Sequence, residues 1–141
     1  MRHQPLEQIL DQATPLEAPL SLSRRERLLR WAQALRAEDR RVMHALKFVE
    51  FYAPEARARL RAEQTPIAVA YADPVLRAAG LMGDTFGDAQ SFFGLSDKEA
   101  HFLLCDCHWN GRMTGGGAAR RVRAVANPNP INRLWMELRA D

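Results

Sequence analysis

Over residues 23–49 the apolar side chains Leu28, Ala32, Leu35, Val42, Leu46 and Val49 recur at intervals of three, four and seven, while Arg24, Arg25, Arg27, Arg36, Arg40 and Arg41 lie mostly off that stripe. This period predicts a long amphipathic N-terminal helix with a break near Glu38 and Asp39. Ser23 and Glu26 mark its start, because a serine hydroxyl and a glutamate three residues on satisfy each other's orphan amides as a capping box. Pro54 stops the run and opens a short helix through Ala62, since proline disfavours helix in the residue before it but fits a first helical turn. The apolar run at residues 67–71 has no second strand to pair with, so it reads as an extended crossing segment.

Punctuation then divides the chain into shorter helices. Asp73 and Pro74 form an N-cap and a first-turn proline, and Gly80 ends that helix; Asp84 caps a second, which Gly94 closes after Phe92 and Phe93. Ser96 and Glu99 make another capping box. A glycine-rich loop follows, with Asn110-Gly111 and Gly115-Gly116-Gly117, then a basic helix over about 118–126. Asn127-Pro128-Asn129-Pro130 breaks it, and residues 131–140 read as a terminal helix docking through Ile131, Leu134, Trp135 and Leu138. The expected fold is therefore all-α: one compact multi-helix domain over residues 1–141, with one long amphipathic N-terminal helix, several short helices, and residues 1–20 as a loosely packed N-terminal arm.

Composition narrows the classes. With 141 residues, 47% hydrophobic and 26% charged, the chain can bury one core without staples. Apolar runs of only a few residues exclude a membrane-spanning helix, and the N-terminus is too polar for a secretory leader. A cytoplasmic location with no membrane partner is expected. The two cysteines, Cys105 and Cys107, are spaced too tightly for an ordinary structural disulfide and read as thiols in a reducing compartment.

The net charge of +3 is built almost wholly from arginine, with Lys47 and Lys98 the only lysines. Together with the abundance of alanine this resembles the codon bias of a GC-rich bacterial genome. The charge is uneven. Asp73, Asp84, Asp88, Asp97, Glu99 and Asp106 make residues 73–106 acidic, whereas residues 110–126 carry Arg112, Arg120, Arg121 and Arg123 and no acid. Neighbouring segments of opposite sign can neutralise each other within a fold or offer a surface to a partner.

Ligand-type side chains concentrate in one place: His101, Cys105, Cys107 and His108. Tetrahedral zinc takes four nitrogen or sulfur ligands, which this set supplies. On a helix, 101, 105 and 108 share a face, but Cys107 points about 200° from Cys105, so one continuous helix cannot close the shell. The alternative is a buried stripe in which Cys105 packs as a small hydrophobe. Catalysis is not expected: the cysteines lack a recognisable flanking signature, no G-x-S-x-G occurs, and Asp84 with Asp88 are explained by capping. Residues 106–117 have the length of a calcium loop, with Asp106, Asn110, Gly111, Met113 and Thr114 in register, yet His108 and Gly117 stand where carboxylates are needed. Joining the Ser96 helix to the basic helix as a helix-turn-helix fails on its long connection. Trp31, Trp109 and Trp135 read as core or edge residues rather than a stacking platform.

These observations point to a small non-enzymatic interaction or regulatory module without a cofactor, meeting a protein partner through residues 96–126 by way of Arg112, Arg120, Arg121 and Arg123 and the exposed glycine loop. Two alternatives stand beside it. One is a metal- or redox-responsive protein holding zinc at the cysteine and histidine cluster. The other is nucleic-acid binding through the arginine-rich helices, with a steep salt dependence.

Overall fold

The chain is described here from a computed structural model that defines residues 21–46, 53–56, 58–59, 65–105, 109 and 112–139. The expected arm at residues 1–20, Val49 and Ala62 lie outside these residues. Among the described residues the fold is mostly helical with one two-stranded sheet, in agreement with the all-α reading.

Helix α1 (Arg24–Ala37) begins at the expected capping box: the Glu26 amide donates to Ser23 Oγ at 3.1 Å and the Ser23 amide to Glu26 Oε1 at 3.0 Å. It buries Leu28, Trp31, Ala32 and Leu35. The long N-terminal helix is not formed; α1 stops after 14 residues. Glu38 and Asp39 place negative charge at the end where the helix dipole is already negative. The chain then turns and pairs Val42–Met43 (β1) antiparallel with Met113–Thr114 (β2). Residues 54–56 and 58–59 are helical, as expected after Pro54.

The run at 67–71 is also corrected, since it lies in helix α2 (Pro66–Ala72). Thr65 Oγ1 accepts the Ala68 amide at 3.1 Å and Pro66 occupies the first turn, so the segment is capped as a helix. Asp73 then caps α3 (Pro74–Ala78), and Gly80 follows at φ 118°, a conformation that suits glycine. Helix α4 (Phe86–Phe93) is capped by Thr85 rather than Asp84, because Asp88 stands three residues after Thr85 and completes a box with it. Ser96 and Glu99 open α5 (Asp97–Leu104) as read from the sequence. Helices α6 (Gly115–Ala126) and α7 (Pro130–Arg139) complete the described chain.

Helices α1 and α6 form the central antiparallel pair. At one end Arg25 donates to Asn127 Oδ1 at 2.9 and 3.2 Å; at the other the Gly115 amide donates to Arg41 O and the Gly116 amide to Asp39 O. Ala118, Ala119, Val122 and Val125 of α6 are buried in the shared core. Trp31 sits at the centre, its ring stacked 4.4 Å from Phe93 and its indole N–H bonded to Pro66 O at 2.8 Å. Trp109 packs half-buried against the same core; its Nε1 is buried with no acceptor among the described residues.

The α1 arginines tie this pair to the remaining helices. Arg24 reaches Gly94 O and Glu99, Arg27 donates to Phe92 O at 2.7 Å and lies over the Phe92 ring, and Arg30 makes a two-pronged pair with Asp73 at 2.8 and 3.0 Å. Two of these contacts, Arg24 with Glu99 and Arg30 with Asp73, join opposite charges from separate parts of the sequence.

Candidate functional site

Helix α5 carries His101 and ends before the first cysteine. Cys105 is its C-cap, in extended conformation at φ −106° and ψ 134°, so the helix that carries His101 does not continue through Cys105. His101 Nδ1 lies 2.7 Å from Asp97 O, and its ring meets the edge of Phe86 at 5.2 Å. A carbonyl can only accept, so Nδ1 carries a proton, and in the neutral ring the lone pair falls on Nε2. Cys105 is buried. Cys107 and His108 lie outside the described residues, and among the described residues no three His, Cys, Asp or Glu side chains gather as a metal shell requires.

The glycine run departs from the expected exposed loop. Gly115 and Gly116 belong to the first turn of α6 and are buried against the end of α1. A Cβ at Gly115 would collide with the Glu38 and Leu35 carbonyls, and one at Gly116 with the Asp39 carboxylate. The first-turn amides are already taken: those of Gly115 and Gly116 by Arg41 O and Asp39 O, that of Gly117 by Thr114 Oγ1 at 3.1 Å. This helix N-terminus therefore has no backbone nest left for a phosphate. Thr114, directly before the glycines, is the N-cap of α6, and its residue type is the signal in the sequence for a helix start there.

Beside this turn lies a cavity of about 250 Å³ into which Arg112, Arg120 and Arg121 converge. Thr114, Gly117 and Met113 form one wall and Trp135 of α7 another. Three of the four arginines singled out in the sequence thus meet at one place; Arg123, half-buried in the last turn of α6, does not line it.

The three arginines differ in role. Arg121 is only 5% exposed; it donates to Phe102 O at 2.8 Å, and its guanidinium lies 4.5 Å over the Phe102 ring and 5.8 Å from Trp135. Phe102 and Trp135 meet edge to face at 5.3 Å, which holds α7 on this cluster. Arg121 is thereby held in place as the floor of the cavity. Arg112 and Arg120 are exposed at the rim. No acidic side chain is among the described walls, so the charges of the exposed Arg112 and Arg120 add and the concave shape focuses their field. Thr114 Oγ1, while accepting from Gly117, keeps a proton to donate.

No known protein family, curated protein or solved structure matches the chain. The functional reading therefore rests on this geometry. A larger cavity of about 590 Å³ is lined by Ala68, Tyr71, Ala72, Arg77, Gly83 and Asp84. Its charged walls are of opposite sign, and Arg77 lies over the Tyr71 ring, so it presents no comparable field. No described helix is long and apolar enough to cross a membrane.

Proposed function

We propose that this protein is a non-enzymatic binding module that takes an acidic segment of a protein partner into the arginine cleft between α6 and α7. The observation that carries this reading is the convergence of Arg112, Arg120 and Arg121 on one cavity with no acid among its described walls. Arg121 forms the floor through Phe102, while Arg112 and Arg120 make the two-pronged contacts that a guanidinium forms with a carboxylate. Trp135 offers an apolar wall for the stem of the incoming side chain. The cleft, rather than the glycine run, is the contact surface, because the glycines are spent on the α1–α6 junction.

A nucleic-acid reading draws less support from the same residues. Arg24, Arg27 and Arg30 are bonded to Glu99, Phe92 O and Asp73, so the α1 face has given part of its charge to the fold.

The test is titration of the protein with a glutamate-rich peptide, followed by tryptophan fluorescence, at two salt concentrations. Saturable binding should weaken with salt and fall at least tenfold in the double variant Arg112→Ala/Arg120→Ala, whose helical circular dichroism should stay unchanged. Equal binding by the double variant, or duplex DNA bound more tightly than the peptide at the same salt, would overturn the reading.

A further inference from the structure

The cavity of about 590 Å³ is enclosed by α2, α3 and the loop before α4, and each supplies a different kind of wall. Ala68, Tyr71 and Ala72 stand at i, i+3 and i+4, so they form one face of α2. The two alanines are short enough to leave space beside the Tyr71 ring. Arg77 lines the cavity from α3 and Asp84 from the loop. These two opposite charges face one space without meeting. Among the described residues neither the Arg77 guanidinium nor the Asp84 carboxylate has an ion pair or a hydrogen bond.

The fold itself withholds their nearest partners. Asp73 stands four residues before Arg77, the spacing of a helical ion pair, but its carboxylate is held by both prongs of Arg30 and accepts the Leu76 amide. Asp84 precedes α4 without capping it, because Thr85 takes that place and Asp88 completes the box. Both charges also stand on firm supports. The Arg30–Asp73 pair fastens the start of α3 to α1. Leu81 anchors the loop, its side chain buried and its amide donating to Leu76 O at 3.1 Å. Gly83 lies so close to Asp88 that a Cβ there would strike its carboxylate, which is itself held by the Thr85 amide and hydroxyl.

From this arrangement we infer that the cavity binds a small zwitterion, a free α-amino acid or short peptide with a sizeable apolar side chain. The ligand's carboxylate takes the fork of Arg77 and its ammonium the carboxylate of Asp84. Its side chain lies on the α2 face of Ala68, Tyr71 and Ala72. A ligand with one charge meets only one of the two walls, so the pair selects for both charges in one molecule. Because the supports are in place beforehand, little ordering is needed on binding.

Size sets the lower limit on the ligand. The volume falls within the roughly 300–1,000 Å³ of small-molecule sites, which is more than an amino acid without a side chain would fill. The cavity shares no residue with the arginine cleft, whose walls call for an acid alone.

Calorimetric titration of the protein with L-phenylalanine and with the dipeptide phenylalanylglycine tests this, the tighter of the two showing which length the cavity takes. At least one should saturate at millimolar concentration or below. Capping the amine by acetylation, or the carboxylate as its amide, should weaken that ligand at least tenfold, the equivalent of about 1.4 kcal/mol. Arg77→Gln should weaken it by the same factor and erase its advantage over the amide. Asp84→Asn should do so and erase its advantage over the acetylated form. Helical circular dichroism should be unchanged in both, since neither side chain belongs to the core. The inference is overturned if neither zwitterion saturates, if a capped form binds as tightly as its parent, or if either variant binds like the wild type. It is equally overturned if binding is lost in Arg112→Ala/Arg120→Ala and kept in Arg77→Gln, which would place the ligand in the arginine cleft.

Discussion

Gly115 and Gly116 look alike in sequence, yet they meet different neighbours. A side chain at Gly115 would strike the backbone carbonyls that close α1, which cannot move without unwinding its last turn, whereas one at Gly116 would strike only the exposed Asp39 carboxylate, which can swing away. Alanine is also the better helix former by about 0.5–1 kcal/mol. Gly115→Ala should therefore cost about 3 kcal/mol, at the upper end of overpacking penalties, while Gly116→Ala should change stability by less than about 1 kcal/mol. Urea unfolding of the two variants measures both, and equal costs would refute the junction as drawn. The same logic separates the cleft arginines. Arg121 is spent on Phe102 O and two aromatic rings, and only position in the fold distinguishes it from exposed Arg120 next to it.

The start of α1 rests on a cap whose chemistry depends on pH. The Ser23 amide and hydroxyl bond the Glu26 carboxylate and hold its pKa below the ordinary value of 4.5. A carboxylate with a lowered folded pKa stabilises the fold fully above its unfolded value and loses that contribution as pH falls through the folded one. The first turn of α1 should thus be at full strength above about pH 4.5 and weaken in more acid solution. Glu26→Gln, which keeps the shape without the charge, should flatten this part of the stability profile; an unaltered profile would place the acid sensitivity elsewhere. Capping signals were also the most legible features of the sequence. Ser23 with Glu26, Asp73 with Pro74, and Ser96 with Glu99 start helices where they were expected to. Such caps act within three residues, so local sequence contains their whole cause. At Asp84 and at 67–71 the cap is a threonine one or two residues away, Thr85 and Thr65, whose hydroxyl competes with the neighbouring signals for the helix start.

Across the molecule the antiparallel α1–α6 pair is the hub on which the other elements pack. Small residues on α6, above all Ala118 and Ala119, bring the two helices close. Ala119→Leu should push them apart and cost about 1–3 kcal/mol. In the wild type the most slowly exchanging amides should lie in α1 and α6, because only global unfolding exposes that pair. Slowest exchange in α3 or α4 instead would move the stability centre. None of this was visible in the alternation of apolar and polar residues, since a long-range helix pair leaves no periodic trace at either partner.

The sequence alone determined the helical class, most helix starts, and the concentration of arginine in residues 110–126, because propensity, capping and composition are local properties. It also marked His101, Cys105, Cys107 and His108, but could not tell that the helix carrying His101 ends at Leu104. Tertiary structure decided where α1 ends, since Asp39 O and Arg41 O serve the amides of Gly115 and Gly116 instead of prolonging the helix. It decided which face of α7 is buried, because Phe102 and Arg121 select Trp135 over the longer stripe of Ile131, Leu134 and Leu138. Both outcomes depend on partners more than ten residues distant, whose competing hydrogen bonds and packing no local pattern encodes.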